Sequence, residues 1–182
     1  MKQLIYIILG FYAISAYSQS TGSVNATFNL SQVALLDLEP DNTSITANLS
    51  PPIEAGEKVS VTMTNNTKWI NFSSAVLAGN SRSISIQLEA GQKTPPGIYL
   101  KLTTSSYSGI NMGNLAALGS PAATVTLNNT PQPIISGIKG SFTGNGINNG
   151  YKLTYALEIY DYKLLDFNQT ASLSITLTLS DL

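Results

Sequence analysis

The sequence predicts an all-β protein folded as a single β-sandwich domain. Three observations predict it. Apolar residues recur at every second position through most of the chain. Turn-forming residues interrupt these runs at short intervals. No window sustains a helical period, with Ala34-Leu35-Leu36 the one ambiguous stretch.

Residues 1–18 read as a cleaved signal peptide. Lys2 is the lone charge, an apolar run follows from Leu4 to Ala13, and the small residues Ala16 and Ser18 precede a cut before Gln19. The run falls short of the roughly 20 apolar residues a spanning helix requires. No later segment is long and apolar enough either, so no membrane span is expected. The remaining residues, 19–182, suit one domain. The chain has no Cys, so an exported domain must rely on its apolar core. That fits a bacterial protein that is secreted, periplasmic or held at the cell surface.

The alternating runs follow in order. Val24, Ala26, Phe28 and Leu30 form the first, within an expected strand from Ser23 to Leu30. Ile45, Ala47 and Leu49 form the next, ended by Pro51-Pro52 and Ala55-Gly56. Val59, Val61 and Met63 precede Asn65-Asn66, which stands at hairpin distance before Trp69, Ile70 and Phe72. Ile84, Ile86 and Leu88 follow the Ala78-Gly79-Asn80 turn, and Pro95-Pro96-Gly97 introduces Ile98, Leu100 and Leu102. Tyr151, Leu153, Tyr155, Leu157 and Ile159 form a core row. Leu173, Ile175, Leu177 and Leu179 close the series. Ser and Thr occupy many of the alternate positions, which suits a pleated wet face. The polar loops 105–120 and 140–150 serve either as binding loops or as plain connections.

Composition narrows function. Without His or Cys there is no Ser-His-Asp triad, thiol nucleophile or zinc cluster. The segment Gly140 to Gly144 lacks the Lys and helix start of a phosphate cradle. Carboxylate-only hydrolysis would need paired acids in a cleft, and Glu158, Asp161 and Asp166 read better as solvated charges near a hairpin. The chain is therefore expected not to be an enzyme and to need no cofactor. Its 9 basic residues against 10 acidic ones cannot neutralise a run of phosphates, so no nucleic-acid partner is expected. Asp37, Glu39 and Asp41 open like a calcium loop, but Asn42 and Asn48 stand where that loop needs Gly and Glu. A charged strand end running into a turn explains them as well.

Strand parity sets Trp69, Tyr99 and Tyr160 opposite the apolar rows. Trp69 also reads as a core residue. Exposed rings there would suit a sugar face or a protein partner.

Pro96-Gly97-Ile98-Tyr99 resembles the Gly-x-Tyr that opens a late strand in immunoglobulin-like domains. Lys101 stands where such domains place a Cys, and Tyr99 reads outward. An immunoglobulin-like Greek-key sandwich is the expected architecture. The alternating Val24–Leu30 run, the segment Val33 to Leu38 and the closing run Ala171 to Leu179 together resemble single-sandwich subunits of bacterial fimbriae. The resemblance implies that Val24, Ala26, Phe28 and Leu30 complete a neighbouring subunit. These pilins often carry a disulfide and a penultimate aromatic; this chain has no Cys, and Asp181 stands next to last. The alternative is that the same strand completes its own sandwich. The expected function is a structural or adhesive one, with protein partners or self-assembly. The rival reading is a soluble carbohydrate-binding module using Trp69, Tyr99 or Tyr160, with a glycan as its partner.

Overall fold

The computed structural model describes residues 25–109, 115–166 and 170–182. The expected leader, 1–18, and Val24 lie outside them. The described residues are all-β, and their strands fall within a compact unit running from Ser31 to Leu182.

Twelve strands are described. They are β1 (Val33–Glu39), β2 (Thr46–Ser50), β3 (Ser60–Thr64), β4 (Thr67–Ala75), β5 (Arg82–Leu88) and β6 (Ile98–Ser108). After them come β7 (Ser120–Pro121), β8 (Val125–Thr126), β9 (Gln132–Ile138), β10 (Ser141–Phe142), β11 (Gly150–Ile159) and β12 (Ile175–Asp181). Among the described residues the helical content is two three-residue 3₁₀ turns, Leu115–Ala117 and Tyr162–Leu164.

All pairings are antiparallel. One sheet runs β1-β4-β11-β6-β8, with β10 also paired to β4. The second runs β12-β5-β9-β7, and β2 and β3 form a separate hairpin. The inward rows follow from parity. Ile70 and Phe72 of β4 stand beside Leu38 and Leu36 of β1, and Ile70 beside Tyr151 of β11. Ile84, Ile86 and Leu88 of β5 stand opposite Leu179, Leu177 and Ile175 of β12. Both rows meet in one buried cluster with Leu102, Ile134, Ile135, Ile138, Leu153 and Tyr155. This β-sandwich-like arrangement matches the alternation, because each strand buries one face and wets the other.

Aromatic packing stiffens one side of the core. The Phe72 and Tyr151 rings stack at 6.3 Å, and Tyr107 meets Tyr151 edge-on at 5.9 Å. The Tyr151 hydroxyl lies 3.0 and 2.9 Å from the carbonyl oxygens of Leu118 and Gly119, so its polar end is satisfied. Burial pushes the Tyr151 and Tyr155 hydroxyls up to about 12.

Two expected elements differ. Residues 25–30 carry no strand, although the sequence alternates cleanly there. Alternation supplies the side-chain pattern but no partner for the backbone, and the following Ser31-Gln32 lacks the Gly or Asn that a two-residue hairpin to β1 would need. Asn65-Asn66 also does not join a hairpin. Asn65 takes φ 54°, but β3 pairs with β2 while β4 pairs with β1, β10 and β11. The turn instead hands the chain from the β2–β3 hairpin to the larger sheet. The ambiguous Ala34-Leu35-Leu36 lies in β1.

Candidate functional site

The N-terminal apolar residues are open to solvent. Phe28 is 93% and Leu30 82% exposed, and Ala26 is exposed too.

The flanks of the two larger sheets differ. On one flank the outer strands are β7 and β8, two residues each. On the other they are β1 and β12, seven residues each. Short outer strands protect an edge; long regular ones leave backbone groups available. The inward row of β12, Ile175, Leu177 and Leu179, is only half-buried, whereas the facing row on β5 is fully buried.

The outward aromatics separate into two places. Tyr99 and Tyr160 stack, with ring centroids 4.0 Å apart and planes 15° from parallel. They remain 38% and 46% exposed. Tyr99 faces Glu158 across β6 and β11. Lys101, next on the same face of β6, forms an ion pair with Glu158. Trp69 is half-buried and sits opposite Lys152 and Glu39, away from the tyrosine pair along β11. The site is therefore a tyrosine pair without the tryptophan.

Gly97 positions the pair. Its φ is +82°, and an added Cβ would lie 2.5 Å from the Asp161 carbonyl oxygen. The Gly97 carbonyl accepts from the Tyr160 N–H at 2.9 Å. The turn after β11 is fixed in its own right: the Asp161 side chain accepts from the Lys163 N–H at 2.9 Å, capping Tyr162–Leu164.

The acidic trio does not converge. Asp37 accepts from the Leu38 N–H at 2.8 Å. The Asp41 carboxylate accepts from the Lys68 ammonium at 2.8 Å and from the Thr43 hydroxyl and N–H at 2.6 and 3.0 Å. Lys68 first, then Thr43, holds the Asp41 carboxyl down to about 2. Among the described residues no group of three or more His, Cys, Asp or Glu side chains is placed to hold a metal. Glu158 and Asp161 are engaged separately, by Lys101 and by the turn cap. Among the described residues no helix is long and apolar enough to cross a membrane.

Sequence reasoning missed two buried cations, Lys68 and Arg82. Each shares the parity of an apolar row: Lys68 with Ile70 and Phe72, Arg82 with Ile84, Ile86 and Leu88. That parity was the available signal. Arg82 Nε donates to Asp181 at 2.7 Å, and Nη1 donates to the Val33 carbonyl and to Ser74 Oγ. Arg82 thus ties β12 and β5 to β1 and β4.

Comparison with protein-family models, curated proteins and solved structures finds no match.

Proposed function

We propose that the chain is an exported, non-enzymatic, immunoglobulin-like β-sandwich of the bacterial surface, with a structural or adhesive role of the fimbrial kind. It associates with other protein chains through its N-terminal segment. One observation carries the reading: an alternating, uncharged apolar segment, 25–30, stands exposed and without strand partners. Such a segment lowers its free energy by adding to an open sheet edge, where backbone pairing supplies affinity and alternate side chains supply register. The seven-residue edges of β1 and β12 supply acceptors of matching length, and the half-buried row on β12 supplies apolar surface to cover.

Deleting residues 19–30 tests it. The expected outcome is a chain that stays folded, fails to assemble, and binds a peptide of residues 19–30. Loss of most of the stability on deletion would mean that the segment completes its own domain. Unchanged folding and assembly would overturn both versions.

A further inference from the structure

We infer that the outward face of β6 and β11 carries a binding site for a neutral carbohydrate, built on Tyr99 and Tyr160. Stacking shields one face of each ring, yet both residues stay more than a third exposed. Tyr162, on the adjoining capped turn, is 51% exposed. The support is rigid, because Gly97 lets that turn close onto the start of β6 and the Asp161 cap holds it. Rings fixed in this way offer apolar area at little entropic cost.

The polar surroundings choose the ligand class. Lys101 and Glu158 neutralise each other, so the patch has no surplus charge to select an anion or a cation. Both still have hydrogen-bonding capacity to spare: an ammonium has three donors, and a carboxylate about four lone-pair positions. Thr126 lies opposite Lys101, and the hydroxyls of Thr103 and Thr124 meet at 2.7 Å beyond it. Ala156 lies opposite Lys101 on β11, on the side of β6 away from Thr126, and adds little side-chain bulk beside the ion pair. Apolar ring area beside a neutral set of donors and acceptors matches a sugar, whose C–H face packs on an aromatic ring while its hydroxyls exchange hydrogen bonds. A phosphate polymer would require a cationic excess that this face lacks.

The test is electrophoresis of the full chain through native gels holding soluble xylan, galactomannan or a neutral β-glucan, with heparin as the charged control. The expected result is retardation in at least one neutral gel. Tyr99→Ala and Tyr160→Ala should each weaken it at least about tenfold. Tyr160→Phe, which keeps the ring and is a safe variant for folding, should retain most of it. Lys101→Met should weaken it without altering the melting curve. Trp69→Phe should leave it unchanged. No retardation in any neutral gel, retardation of both alanine variants as strong as that of the parent chain, or retardation by heparin alone would overturn the inference. The variant lacking residues 19–30 should be retarded like the full chain, so this site and strand donation succeed or fail separately.

Discussion

Arg82 and Asp181 meet at 2.7 Å with unequal burial: the arginine side chain is 2% exposed and the aspartate 63%. Hydrogen bonding from Arg82 holds the Asp181 carboxyl below the usual carboxylate range, against a smaller effect of burial. Because the guanidinium also reaches Val33 and Ser74, one side chain joins both sheets at one end of the core.

Arg82→Ala should therefore destabilise the protein by about 3 kcal/mol, because it empties a fully buried site and leaves the Val33 carbonyl and Ser74 hydroxyl without their donor. Arg82→Met, which restores much of the volume, should cost less. Asp181→Asn should be destabilising as well. Urea unfolding of the three variants checks the order.

Alkaline pH should unfold the protein progressively above pH 10. The Tyr151 and Tyr155 hydroxyls ionise near 12 when folded and near 10 when unfolded. Between those values the unfolded chain loses protons that the folded chain keeps, so stability falls as pH rises. Each tyrosine contributes a loss of about 2 kcal/mol by pH 12. Urea midpoints measured from pH 9 to 12 should fall for the parent chain and fall less for Tyr155→Phe.

At acid pH the Asp41–Lys68 contact should give way. Its carboxyl titrates near 2 in the folded chain and near 4 when unfolded. The stabilisation is present above about pH 4 and lost as pH falls through about 2. Asp41→Asn should melt below the parent at pH 7 and together with it near pH 2.

Gly97→Ala should cost about 2 kcal/mol, combining a positive φ with the clash against the Asp161 carbonyl. It should also part Tyr99 from Tyr160. Thermal melting reads the first effect, and the near-ultraviolet tyrosine dichroism reads the second.

Much of the fold was legible in the chain because parity is a local property. The rows Ile84-Ile86-Leu88 and Tyr151-Leu153-Tyr155 face inward as their spacing requires. Partner choice is not local. Asn65-Asn66 has turn chemistry, but nothing nearby in sequence says that β4 will pair with β1 and β11 instead of β3. The segment 25–30 shows the same limit, since a period of two describes a side-chain pattern and not a neighbour. Parity also set Tyr99 and Tyr160 outward, but their stacking depends on the register that brings Glu158 opposite Tyr99. Lys68 and Arg82 were masked by residue type: charged side chains read as solvated unless their phase with the apolar row is followed to its ends.

Lys68 and Arg82 are the buried charged side chains among the described residues, and each is answered by a carboxylate that solvent reaches. The interior is thus apolar at mid-strand and linked at these two points to carboxylates that solvent reaches. Added salt should loosen those points while leaving the amides of Ile84 and Ile86 as slow to exchange with deuterium as before. The result would be a molecule that opens first at its charged plugs, with its middle opening only on complete unfolding.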